Sequence, residues 1–210
     1  MMLHLLRRLV PNSIKQYVRR QIDEEMRRYK APRMVWGYQD STGEWRPRTR
    51  ISDTVVLYAP DRISIGNNVF VWHHTILDGT GGLTLEEGCQ LGAWVGIFTH
   101  SSHIAIRLYG AHYQEVPEDQ KKGYSTKPVR IGKYAGVGSG ALISPGVKIG
   151  KGALVVGGTV VTRDVADYEI VSGNPMRVRG DSRHLDKRYL ADPQIAAWYE
   201  EWQRESGEPS

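Results

Sequence analysis

The sequence predicts an all-β solenoid, and three observations carry that expectation. Ile131, Val137, Ile143, Ile149, Val155 and Val161 recur every six residues, a period that neither a helix nor an ordinary strand imposes. Four places after each stands a small or β-branched residue: Ala135, Ala141, Val147, Ala153, Thr159 and Val165. Glycine follows the aliphatic directly at Gly132, Gly138 and Gly150. A short strand that turns at every sixth residue closes one triangular coil per three hexads and stacks its aliphatics on the coils above and below. Glycine then supplies positive φ or close backbone approach at the corners.

Residues 1–50 read as a basic amphipathic arm and its lead-in. Residues 1–30 hold Arg7, Arg8, Lys15, Arg19, Arg20, Arg27, Arg28 and Lys30 against only Asp23, Glu24 and Glu25. This segment therefore carries the whole +5 net charge of the 210-residue chain, and the rest balances. The coil has no charge basis for binding nucleic acid, whereas the arm suits an anionic surface. Leu3, Leu6 and Val10 precede Pro11, and Asn12 or Ser13 caps a helix in which Ile14, Val18, Ile22 and Met26 fall four apart. The apolar opening contains His4, Arg7 and Arg8 and is too short to span a bilayer; no signal-type cleavage site follows it. Two readings stand side by side: peripheral contact with the inner face of the cytoplasmic membrane, or packing on the solenoid or a neighbouring subunit. A cytoplasmic location is expected.

Residues 51–180 are the expected solenoid domain. An earlier array runs through Ile65, Val71 and Leu77, slips by two residues, and continues through Leu85, Leu91 and Ile97, with Val69, Thr75, Cys89, Val95 and Ser101 at the small positions. The next beat comes only at Ile131; the polar stretch about 104–128, containing Pro117, reads as a loop projecting from a corner. The single cysteine excludes an intrachain disulfide, fits a reducing compartment and belongs to the core. Residues 181–210 form a C-terminal helical extension. A helix over 185–205 with Ile195, Trp198, Tyr199 and Trp202 on one face would cap the open end of the sheets.

Chemistry concentrates where the first array meets the loop, in Ile97-Phe98-Thr99-His100-Ser101-Ser102-His103. Ser101 keeps the inward small position, so His100 should point outward or along a corner. His103 falls where the next aliphatic is due, so the chain leaves the ladder there and presents it at the surface. Asp78 follows the inward Leu77 and should face out one coil away, orienting an imidazole, binding a sugar hydroxyl or forming an ordinary turn before Gly79. Trp72, His74, Trp94 and Tyr109 suit stacking on apolar sugar faces, with loop anchoring as the plainer alternative.

With these residues the chain resembles the hexapeptide-repeat acyltransferases, especially sugar and polysaccharide O-acetyltransferases. The resemblance covers about residues 55–180 and is strongest in the hexads, the Thr-His cluster, Val160-Val161-Thr162-Arg163-Asp164 and Gly173-Asn174-Pro175-Met176-Arg177-Val178. It implies a left-handed parallel β-helix, a homotrimer, and acetyl-CoA as acetyl donor in a groove between subunits, with a carbohydrate acceptor and no metal. A histidine would act as general base on the acceptor hydroxyl. The family's histidine position is occupied here by Ser102, and a one-residue bulge at the loop junction would make His103 the base, with His100 as the alternative. Ser139 and Gly157 are carried over as groove-lining positions, Thr162 and Arg163 as nucleotide-end contacts, and Arg177 and Arg179 as phosphate contacts. Two other readings compete: a zinc carbonic-anhydrase-like enzyme built from His73, His74, His100, His103 and His112, and a catalytically silent scaffold.

Overall fold

In the computed structural model, which describes residues 11–205, all twelve aliphatics of the two arrays point inward, none more than 2% exposed. Strands β1 (Met34–Gln39) and β2 (Trp45–Ser52) form an antiparallel hairpin, and β2 enters a first sheet. The chain then passes to a second sheet with β3 (Val56–Tyr58) and a third with β4 (Ile63–Ile65). The same rotation repeats through β5 (Phe70–Val71), β6 (Ile76–Asp78), β7 (Leu83–Leu85), β8 (Gln90–Leu91) and β9 (Gly96–Ile97). After an excursion based on β10 (His100–Ser101) and β11 (Ser125–Thr126), it resumes with β12 (Val129–Ile131), β13 (Gly136–Val137) and β14 (Leu142–Ile143). It continues through β15 (Lys148–Ile149), β16 (Leu154–Val155), β17 (Val160–Val161) and β18 (Glu169–Ser172), and β19 (Arg177–Asp181) turns back antiparallel on β18.

Within each sheet the coil strands are parallel, and like faces like: Val71 lies opposite Leu91, Leu91 opposite Val137, and Val137 opposite Val155. Most coil strands bury one aliphatic and the third-sheet strands β4, β7 and β12 bury two, and stacking joins these into one continuous core that includes Cys89. Burial pushes the Cys89 thiol well above its usual range, so it packs as a small apolar group.

The corners refine the expectation for glycine. Positive φ falls three places after the aliphatic, at Gly140, Gly146, Gly152 and Gly158, and the same position takes Asn68, His74, Trp94, Tyr134 and Tyr168 in other coils. The glycines directly after an aliphatic answer a different need. A Cβ at Gly138 would stand 2.4 Å from the backbone nitrogen of Gly157 in the next coil.

The described residues divide into two compact units, with the boundary between residues 33 and 34. In the first, the helix Asn12–Lys30 forms, with Ile14, Val18, Ile22 and Met26 all exposed. Leu3, Leu6 and Val10 lie outside the described residues.

The C-terminal extension differs from the single helix expected over 185–205. It comprises a short helix Arg183–Asp186 and a longer one Pro193–Glu205. Proline lacks an N–H and disrupts a helix interior but suits a first turn, and Asp192 caps that turn by accepting from the Gln194 nitrogen at 2.8 Å. Ile195 and Trp198 remain exposed. Trp202 instead packs on Tyr134 at 4.7 Å between ring centres and lies 6.3 Å from Tyr168.

Candidate active site

The loop leaves the coil earlier than the hexad count predicts. Thr99, two places after the aliphatic Ile97, is fully buried, while Ser101 is only half-buried and belongs to β10. Pairing of His100 with Thr126 and Ser101 with Ser125 draws the chain off the ladder. The excursion is more ordered than a bare loop, with a helix Ala105–Tyr109 and two 3₁₀ turns, Gly110–Glu115 and Glu118–Gln120.

Asp78 ends β6 at the corner between the second and third sheets, and its side chain is 2% exposed rather than facing out. The carboxylate accepts the backbone N–H of Thr80 at 2.9 Å and of Thr99 at 2.8 Å, and meets His100 Nδ1 at 2.6 Å. Thr99 in turn donates its hydroxyl to the Asp78 carbonyl at 2.9 Å and accepts the Gly81 N–H at 2.8 Å, locking the corner. Burial opposes ionisation of Asp78, but these hydrogen bonds outweigh it and hold the carboxyl well below the usual carboxylate range.

An ionised carboxylate can only accept, so Nδ1 of His100 carries the proton and Nε2 of the neutral ring presents its lone pair. The imidazole is 38% exposed on its side chain and stacks on Tyr124 of the loop, with ring centres 6.1 Å apart. His103 stands differently. It is exposed, and among the described residues its Nδ1 meets the Ser101 hydroxyl, at 2.6 Å. A hydroxyl donates or accepts, so this contact fixes no tautomer. Thr80 is the supporting residue that the sequence pattern does not single out; Thr99 stands in the Thr-His cluster and Tyr124 among the aromatics of the loop.

Most of the other candidate residues sort onto two corners of the coil, with Arg177 and Arg179 on β19 and Tyr109 in the inserted loop. Trp72, His74, Trp94, Ser139 and Gly157 lie at the corner between the first and second sheets, since each follows a first-sheet strand and precedes a second-sheet strand. There His74 stacks on Trp94 at 6.2 Å, and the Ser139 hydroxyl accepts the Ala93 N–H at 3.1 Å. Thr162 and Arg163 lie with Asp78 and His100 on the second corner, after β17. Arg163 donates to the Asp164 carbonyl, Arg177 to the Met176 carbonyl and Arg179 to the Ser172 hydroxyl, all three side chains at exposed positions. The Tyr109 hydroxyl accepts the Lys122 N–H at 2.9 Å, so this ring anchors the loop.

The histidines of the zinc reading are dispersed: His73 meets Ser52 at 2.7 Å and His112 meets Glu115 at 2.8 Å. Among the described residues, no three His, Cys, Asp or Glu side chains gather as a metal site would require.

A buried carboxylate that fixes a half-exposed imidazole is an arrangement that can serve general-base chemistry, and it stands here at a corner of a coil of three sheets. The chain has named relatives. Nodulation protein L of Rhizobium meliloti (strain 1021) is 37% identical over 119 residues, 56% of this chain and 59% of the relative. Galactoside O-acetyltransferase of Escherichia coli (strain K12) is 27% identical over 127 residues, 60% of this chain and 48% of the relative. A maltose O-acetyltransferase structure from Clostridium difficile 630 superposes with a TM-score of 0.52 at 25% identity, covering 61% of this chain and 64% of that one. No family model matches the chain. The chain is thus similar to acetyltransferases, as its hexads and Thr-His cluster imply, and it spans about half to three fifths of the length of these curated relatives.

Proposed function

We propose that the chain is an acyltransferase that moves an acetyl group from acetyl-CoA to a hydroxyl of a sugar within a polysaccharide or glycolipid precursor. The observation that carries this reading is the 2.6 Å pair of His100 and buried Asp78 beneath the loop. In the proposed step, Nε2 of His100 takes the acceptor O–H proton as that oxygen attacks the thioester carbonyl. A backbone N–H in the donor groove stabilises the oxyanion. Collapse expels the CoA thiolate, which receives the proton from the imidazolium, while Asp78 balances the positive ring in between. Asp78 thus acts through His100 as a positioning residue. This assigns the base to His100 in place of His103, because His100 meets a buried carboxylate that fixes its tautomer whereas His103 meets a hydroxyl.

The coil is read as a left-handed β-helix and the assembly as a homotrimer. One chain carries His100 on one corner, and Ser139 and Gly157 on another, so a site using all three draws on two copies. Thr162, Arg163, Arg177 and Arg179 are assigned to the CoA nucleotide and phosphates. His74 and Trp94 are assigned to the sugar, and the enzyme to the cytoplasm.

Turnover with acetyl-CoA and a panel of sugars, followed by release of free thiol, tests the assignment. His100→Ala should lower kcat by ~10²- to 10⁴-fold, the range of general-base contributions, while His103→Ala stays near wild type. Retained turnover in His100→Ala would sink it. A melting point unmoved by millimolar acetyl-CoA would remove the donor site itself.

A further inference from the structure

From the first unit of the chain we infer a peripheral docking element for anionic lipid surfaces, the helix Asn12–Lys30. Its apolar residues Ile14, Val18, Ile22 and Met26 advance four at a time and are 51%, 47%, 55% and 50% exposed, with Tyr17 beside them at 65%. So much aliphatic surface in a line is unusual on a water-facing helix. At about 100° per residue, Lys15 and Arg19 follow Ile14 and Val18 along one edge of the stripe, where their stems can lie on apolar surface while their charges reach headgroups. The charge pattern selects the occupant. Residues 1–30 carry the entire +5 excess of the chain, which a neighbouring copy of the same basic helix would repel and an anionic leaflet attracts. Among the described residues no helix is long and apolar enough to cross a membrane. The element therefore lies in the interface and does not span it.

The inference stands independently of acetyl transfer, and its test needs no turnover. The full chain is sedimented with phosphatidylcholine vesicles and with vesicles that also contain phosphatidylglycerol. Retention should occur on the anionic vesicles alone and fall steeply as salt is raised, because the Debye length shrinks. Ile14→Glu combined with Val18→Glu and Ile22→Glu should cut retention about tenfold or more while the melting point is unchanged, since it removes the apolar anchor. Lys15→Glu with Arg19→Glu should weaken anionic retention and leave the apolar stripe intact. Equal retention on neutral vesicles, or undiminished retention of the triple variant, overturns the inference. So does a fall in oligomer mass of the triple variant by light scattering without lipid, which would make the stripe an interface between copies.

Discussion

At the scale of single residues, Asp78 makes a prediction that activity alone cannot. Its carboxyl is held below the usual range, so its ionised form stabilises the fold wherever the carboxylate would also be charged in the unfolded chain, above about pH 4. That contribution is lost as pH falls through the depressed folded-state value. Asp78→Asn should therefore melt below wild type at pH 7, and the gap should narrow as pH drops below about 4. A gap that stays constant down to pH 3 would mean that the carboxylate charge does not stabilise this corner. The same substitution should lower kcat on the order of 10²-fold with little change in KM, because an amide no longer holds the Nδ1–H tautomer or balances an imidazolium. Asp78 and His100 were both legible as candidates from their places in the hexads. Which histidine pairs with Asp78 was not legible, because the chain leaves the ladder where β10 pairs with β11, a contact between residues about 25 apart across a stretch with no period. The counting rule made Ser101 an inward residue, and Thr99 took that place.

At the scale of strands and corners, the six-residue beat announced the sheets almost residue by residue, since every aliphatic it selected is buried. Corner geometry was less visible, because one glycine-rich pattern hides two demands. Gly138 yields to a neighbouring backbone, whereas Gly158 has a φ of 71° and open space around its missing Cβ. Gly138→Ala should thus cost about 3 kcal/mol or more, as two rigid backbones must separate, while Gly158→Ala should cost about 1 kcal/mol of left-handed strain. Equal losses in chemical denaturation would contradict that division. The C-terminal helix depends on the same logic. Tyr134 and Tyr168 occupy positive-φ corners, and a Cβ at Gly88 or Gly152 would strike their rings, so small residues one coil away give each ring room. The Trp202 ring rests against that column. Trp202→Ala should lower stability by about 2 kcal/mol, less than for a fully buried tryptophan, and should leave the coil folded by circular dichroism.

At the scale of the whole molecule, the decisive fact is that the strands visit three sheets in strict order, which assigns the candidate residues of the coil to its corners. Asp78 and His100 fall between the second and third sheets; Ser139 and Gly157 fall between the first and second. If the proposed donor groove and base act together across a subunit boundary, two inactive variants can repair one another. His100→Ala destroys the base, and Gly157→Trp blocks the groove; each alone should be nearly silent. In a trimer mixed from both chains, one boundary of three pairs an intact His100 with an intact Gly157. With equal, random assortment, mixed trimers are three quarters of the population, so turnover should recover to about one quarter of wild type. The chains must be co-expressed so that they assemble together. Recovery near that level would require a site shared between copies, because neither chain alone holds both intact parts. No recovery, with mixed trimers verified by mass, would mean that each chain completes its own site, and that the two corners serve different tasks.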